Sequence, residues 1–243
     1  MPCDAQTLIR RYGTAAPETE PQALAIGRTT LLWHAGAVRR LAFDGVETLR
    51  GLSTVIRDAR WGTCRLSTAA SDVTRRDSAI ELRQESHLVN QGDSILSTVL
   101  TLSVAETRLE ARLRLAAEQP FETCRSGLVV LLPLAHVIGR AATVIHDDGS
   151  EEAGRLDERI SPSQPFFSIR RLRLAPTPAL DMTLDLEGDV FEMEDQRNWS
   201  DASLKIYNRP LAWPSPYRLE AGECVEQRVS LTIETNAEGS AHA

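Results

Sequence analysis

Leu96-Ser97-Thr98-Val99-Leu100-Thr101-Leu102-Ser103-Val104, followed by Leu109-Glu110-Ala111-Arg112-Leu113-Arg114-Leu115, decides the fold class. In the second run apolar and charged residues take alternate positions. Successive side chains of a strand point to opposite faces, so this is a half-buried strand with one face on a core and one in water. In the first run every second residue suits one face. A helix would need apolar residues at i, i+3, i+4 and i+7, and that period never persists for three turns in this chain.

The same pattern extends outward from these runs. Towards the N-terminus, Ala79 to Leu88 is a strand joined to the first run by Asn90-Gln91-Gly92-Asp93, a hairpin connection. Ala37 to Phe43 and Val46 to Leu49 flank Asp44-Gly45, where glycine tolerates the positive φ of a tight primed turn. Ser53 to Ile56 continues into Arg57-Asp58-Ala59-Arg60-Trp61-Gly62-Thr63. Leu24 and Ile26 alternate, and Thr29 to Trp33 is rich in strand formers. Towards the C-terminus, Gly127 to Leu132 is a continuous apolar run and predicts a strand buried on both faces. Ala142 to His146 ends in Asp147-Asp148-Gly149-Ser150. The basic cluster Ser168 to Arg173 alternates as the solvent face of a strand. Leu180, Met182, Leu184 and Leu186 alternate with polar residues, as do Val225, Gln227, Val229, Leu231 and Ile233. Many strands, polar turns and little helix predict an all-β, antiparallel β-sandwich. One domain is expected over 22–235, preceded by an N-terminal arm (1–21) and followed by a disordered tail (236–243).

The length of 243 residues suits a single large β domain. A formal charge of -7 argues against nucleic acid or an anionic membrane as partner. No apolar run reaches the length of a spanning helix. The start, MPCDAQTLIRRYG, lacks the apolar core of a signal peptide, so the expected location is cytoplasmic. Cys3, Cys64, Cys124 and Cys224 are scattered without a CxxC, which favours reduced structural thiols over a zinc site. No serine-hydrolase elbow, phosphate loop, dinucleotide fingerprint or HExxH motif is present.

Polar chemistry concentrates between Gly188 and Leu219. Glu192, Glu194, Asp195, Arg197, Asn198, Trp199, Asp201, Lys205 and Tyr207 crowd together with no amphipathic period. Two readings are open: side chains converging on a ligand, or an ion-pair network tying a loop to a sheet. Glu192 and Glu194 share a parity, so an extended segment projects both from one face, where mutual repulsion can raise one carboxyl's pKa. Lys205 and Tyr207 share a parity too. Arg197 can grip a carboxylate with a bidentate fork, and Lys205 as a point charge. Elsewhere, Trp61 offers an apolar platform for a sugar, with Arg57 and Asp58 as directional partners; the alternative is a strand-end Trp capping the core beside an ion pair. His146 is a candidate general acid or base, or an ordinary histidine in a turn. Ser161-Pro162-Ser163-Gln164-Pro165-Phe166-Phe167 is a stiff loop that walls a pocket, with Gln164 facing the ligand, or covers a sheet edge. Glu192, Glu194, Asp195 and Asp201 have oxygen donors for a hard cation, but in no recognised spacing, so neither metal nor cofactor is expected.

The segments Val55 to Thr63, His146 to Ser150, Ile160 to Phe166 and, above all, Gly188 to Pro210 with its FEMEDQRNW string resemble the N-terminal β-rich domain of the bacterial D-apionate lactonase family. The resemblance covers residues 24–215. It implies a sandwich of the galactose-mutarotase-like supersandwich type, and work on sugar acids or their lactones. It also implies a barrel domain that in family members follows this one, here a possible protein partner. The leading functional expectation is a carbohydrate-active enzyme that opens a lactone ring or epimerises a sugar acid. His146, Glu192 and Glu194 would be its acid and base. Arg57, Asp58, Trp61, Gln164, Arg197, Asn198, Trp199, Asp201, Lys205 and Tyr207 would bind substrate. The alternative is a non-catalytic carbohydrate-binding or partner-binding domain serving a separate barrel enzyme, or a fold-locking network alone.

Overall fold

Alternation in the sequence becomes paired strands in the structure, a computed structural model that describes residues 4–12, 15 and 20–236. A short helix, α1 (Ala5–Tyr12), comes first. It is followed by β1 (Gln22–Ile26), β2 (Thr29–His34), β3 (Ala37–Phe43) and β4 (Val46–Asp58). Next come β5 (Ser67–Arg75), β6 (Ile80–Asn90), β7 (Asp93–Val104), β8 (Arg108–Ala117) and β9 (Phe121–Pro133). The chain continues through β10 (Ala141–His146), β11 (Glu151–Arg155), β12 (Ile169–Thr177) and β13 (Leu180–Glu187). It ends with β14 (Phe191–Asp195), a 3-10 turn (Gln196–Trp199), β15 (Ser203–Asn208), β16 (Tyr217–Leu219) and β17 (Cys224–Thr235).

These strands form two antiparallel sheets. The first runs β1-β2-β3-β4-β9-β15-β14, with β16 also paired to β9; the second runs β11-β10-β12-β13-β17-β8-β7-β6-β5. The sheets pack face to face. Leu52, Leu128, Val130, Met193, Leu204 and Ile206 from the first meet Leu100, Leu102, Leu113, Met182, Leu184 and Leu231 from the second in one apolar cluster. The all-β antiparallel sandwich expected from the alternation is the fold observed.

The hairpins fall where the turn residues lie. Asp44 and Gly45 have φ of 52° and 78° between paired Phe43 and Val46, a primed turn whose twist matches that of the strands. Gln91 and Gly92 turn β6 into β7 in the same way. β9 is buried on both faces along Gly127 to Val130, because it lies between β4 and β15 in the middle of its sheet.

Strands without an apolar pattern escaped the sequence reading. β5 and β11 each pair with one neighbour at an edge of the second sheet and are mostly exposed, so no face of them needs apolar residues. The N-terminal arm carries α1, whose first turn is capped by Asp4: its Oδ1 accepts from the Thr7 amide at 2.9 Å. Of the tail expected at 236–243, Asn236 is described and its amide donates to Ala179 O at 2.9 Å; the rest lies outside the described residues. Among the described residues, no helix is long and apolar enough to cross a membrane.

Leu184 is fully buried at the centre of the core. Leu184→Ala is expected to cost about 2–5 kcal/mol, from lost transfer free energy and the cavity left behind, and urea denaturation will read it.

Candidate active site

The site is set by the register of β14 against β15 and of β15 against β9. Glu192 pairs with Tyr207 and Glu194 with Lys205. Tyr207 in turn pairs with Val129, and Lys205 with Leu131. The alternate residues Phe191, Met193, Leu204 and Ile206 enter the apolar core. Side chains alternate, so the two carboxylates, the lysine and the tyrosine project from the opposite face. On the same sheet, Arg57 of β4 pairs with Arg125 of β9.

Contacts on that face are short. The Tyr207 hydroxyl donates to Glu192 Oε1 at 2.6 Å, and the Leu211 amide donates to the same oxygen at 2.9 Å. Lys205 Nζ lies 2.6 Å from Glu194 Oε2, and the Trp199 indole N–H donates to Glu194 Oε1 at 2.8 Å. The Arg125 guanidinium lies over the Tyr207 ring, 3.6 Å from its centroid, and 5.4 Å from the centroid of Trp61. Lys205 Nζ is 5.1 Å from the Tyr207 centroid. A cleft of about 390 Å³ opens here between the Pro162–Gln164 loop and Glu194, Asn198, Trp199 and Leu211. Trp199 is 72% exposed at its rim.

Electrostatics follow from this packing. Burial pushes the Glu194 carboxyl up, but Lys205, the Trp199 indole and Arg125 outweigh it and hold the group below the ordinary carboxylate range. The carboxylate repulsion expected from sequence therefore does not raise Glu194, because a lysine stands directly opposite. Burial lowers the Lys205 ammonium; Glu194 opposes this, while Arg125 and Arg57 add to it. Burial and the bond to Glu192 raise the Tyr207 phenol well above its ordinary value, so it is a firm donor at neutral pH.

Other residues of the same stretch do structural work. Arg197 binds Asp195 bidentately at 2.9 and 2.7 Å and donates to the carbonyls of Asp157, Glu158 and Arg159. Asp195 Oδ2 also accepts from the Ser161 amide, and the Asn198 amide reaches Ser161 O at 2.6 Å. Asp201 accepts from the Ser203 hydroxyl. These groups clamp the 157–161 loop to the end of β14. Asn198 lines the cleft wall while making these bonds; Arg197 has its donors committed to the clamp. The network reading of the stretch holds for Asp195, Arg197 and Asn198, while Glu194 and Trp199 stand at the cleft.

Asp58 and Arg57 shape the Trp61 platform. Asp58 Oδ1 accepts from the amides of Arg60 and Gly62, both at 2.8 Å, and Arg57 Nη1 donates to Trp61 O and Thr63 Oγ1. Trp61, 43% exposed, is thus held over Arg125. His146 lies on β10, in the other sheet. Its Nδ1 lies 2.9 Å from Phe167 O and its Nε2 3.3 Å from Glu152, and it makes no hydrogen bond to Glu192 or Glu194.

Arg125 is the functional candidate that sequence reasoning missed. It lies two positions before the apolar run Gly127 to Leu132, outside the stretch where charges are dense. The available signal was parity: a charge in register with a strand buried on both faces needs a partner or a site. Among the described residues, no three His, Cys, Asp or Glu side chains converge to hold a metal ion.

A family model described as D-apionate lactonase, N-terminal domain, matches residues 9–236. The D-apionate lactonase of Brucella anthropi is 37% identical over 227 residues, which are 91% of this chain and 37% of that protein. The chain thus spans little more than a third of the relative's length. Among solved structures, Slr1438 from Synechocystis superposes with a TM-score of 0.57 at 12% identity, covering 90% of this chain and 98% of that one. A galactose mutarotase-like protein from Lactobacillus casei gives 0.52 at 11% identity, covering 88% and 100%. A putative aldose 1-epimerase from Escherichia coli gives 0.51 at 12%, covering 89% and 99%. At such identities the likeness is one of fold, and the fold is that of the galactose-mutarotase-like sandwich.

The clamp makes a stability prediction. Burial raises Asp195, but Arg197 and the Ser161 and Arg197 amides outweigh it and leave the carboxyl below its ordinary value. A depressed folded value means the stabilisation is complete above the unfolded carboxyl's range, near pH 4, and is lost as pH falls through the folded value. Asp195→Asn is expected to cost about 3 kcal/mol at neutral pH by stranding Arg197. It should also flatten the acid limb of a plot of Tm against pH relative to the unsubstituted protein.

Proposed function

The chain belongs to the D-apionate lactonase N-terminal domain family, and on that premise we propose that its cleft binds a sugar acid or its lactone and opens the lactone ring. The observation that carries the reading is the Glu194–Lys205 pair, 2.6 Å apart, in which Glu194 lines an open cleft and accepts from the Trp199 indole at its rim. It puts an ionised carboxylate and an ammonium side by side where a ring can stack. Trp199 supplies an apolar face for that ring, while Trp61 lines a neighbouring recess that shares Leu211 with the cleft. Glu194 takes a proton from water as the hydroxyl adds to the lactone carbonyl carbon. Lys205 stabilises the oxygen that becomes negative. As the bond from carbonyl carbon to ring oxygen breaks, Lys205 gives a proton to the departing oxygen and regains one from Glu194 2.6 Å away, which leaves a hydroxy acid and resets the pair. Glu192 is a positioning residue: it fixes Tyr207 and the Leu211 backbone. Gln164 lines the cleft from the facing loop. His146 has no part in this scheme, since its partners lie elsewhere.

A second reading draws support from the same pair. A carboxylate held below the ordinary range is a weaker base than a free one. Under this reading Glu194 and Lys205 grip the hydroxyls of a bound sugar, and a separate catalytic domain performs the reaction.

Lactone hydrolysis followed by proton release, alongside calorimetric binding of aldonic acids, separates the two. Under the enzyme reading, Glu194→Gln lowers kcat by about 10²–10⁴-fold and leaves the acid's Kd within about threefold. Binding without turnover in the unsubstituted protein would favour the second reading. In either case Trp199→Ala should weaken binding roughly fivefold to tenfold, as about 1 kcal/mol of stacking is lost.

A further inference from the structure

Arg125 is 6% exposed, yet among the described residues no carboxylate stands within ion-pairing distance of it. Its Nε is buried without a hydrogen-bond partner. The carboxylates that act on it electrostatically, Glu194 and Glu192, are committed to others. Glu192 Oε1 takes the Tyr207 hydroxyl and the Leu211 amide, and Glu194 takes Lys205 and the Trp199 indole. Arg57, the cross-strand neighbour, donates only to a carbonyl and a hydroxyl. Among the described residues, Lys205 is the one of these three cations in an ion pair, in a protein whose net charge is -7.

A buried charge without a counter-charge is expensive, and cation–π contact offsets only part of that cost. Tyr207 and Trp61 engage the guanidinium through ring contacts. Stacking uses the faces of the planar group; the buried Nε–H is left without a partner, and an in-plane carboxylate is how arginine is ordinarily satisfied. Burial is what chiefly lowers Lys205, and Arg125 and Arg57 both add to it.

We infer that Arg125 is the receptor for a ligand carboxylate, so that the cleft holds a sugar acid more tightly than a neutral polyol of the same carbon skeleton. This rests on the reading of the cleft as a sugar site and names the charge state it selects. It also gives Arg125 a place in ring opening: the carbonyl that gains negative charge during the reaction ends as a carboxylate beside a cation already in place. Arg125 is then a specificity residue that a search for dense charge does not find.

The test is calorimetric binding of D-threonate, D-xylonate and D-gluconate against the matching polyols threitol, xylitol and glucitol. The unsubstituted protein is expected to prefer the acids by tenfold or more, less so at high salt. Arg125→Gln should reduce the ratio of acid to polyol affinity to within about twofold, whatever the change in polyol affinity itself. Should Arg125→Gln fail to fold, Arg125→Lys is read in its place. It keeps the charge but lacks the fork, and at least a threefold loss of preference at unchanged polyol affinity supports the assignment. A preference that survives substitution overturns the role of Arg125. Equal binding of acids and polyols overturns the inference and leaves the sugar reading standing. If neither class binds, the sugar reading itself falls, and this inference falls with it.

Discussion

One register, β14 against β15, governs both the core and the cleft. With Glu194 opposite Lys205 and Glu192 opposite Tyr207, four apolar side chains enter the sandwich and four polar ones leave it. A slip of one residue would exchange the two sets and bury the charges in the apolar cluster. The apolar set therefore fixes where the polar set stands. Site geometry is a by-product of core packing, which is the most rigid part of a folded domain.

The polar face of this hairpin is covered rather than open to water. The 157–168 segment is held against β14 by the Asp195–Arg197 clamp and by the Met193 amide donating to Phe166 O. After β15, the Leu211 amide closes on Glu192. Covering these charges lowers the local dielectric and strengthens each polar contact, and it also makes an unpaired group costly. Hence nearly every charged side chain on this face has a partner at short range. Among the described residues, Arg125 departs from this, lying against two aromatic rings with no carboxylate in ion-pairing range.

A division of labour runs along one short stretch. Residues that follow the strand parity, Glu192 and Glu194, face the cleft side of the sheet. Residues at and after the strand end, where the chain turns into a 3-10 helix, engage the 157–161 loop: Asp195 caps that turn and pairs with Arg197, and Asn198 ties down Ser161. The clamp and the candidate chemistry are adjacent in sequence and carried by different side chains. A substitution can therefore disturb one while the other is retained.

The sequence by itself determined the all-β class, the tight turns at Asp44-Gly45 and Gln91-Gly92, and the doubly buried strand from Gly127 to Leu132. Each of these is a local property: alternation, positive φ, or an unbroken apolar run. It also located the dense polar stretch and, through parity, the shared face of Glu192 and Glu194. It left β5 and β11 unread, because edge strands need no apolar pattern. Tertiary structure alone decided the rest. It committed Arg197 to backbone carbonyls, put His146 in the other sheet, set Lys205 against Glu194 so that the carboxyl moved down, and laid Arg125 of β9 over Tyr207 of β15. Those outcomes depend on which strands lie side by side, β4 and β15 flanking β9 above all. Strand order of that kind is fixed by packing between residues far apart in the chain, and no local pattern records it.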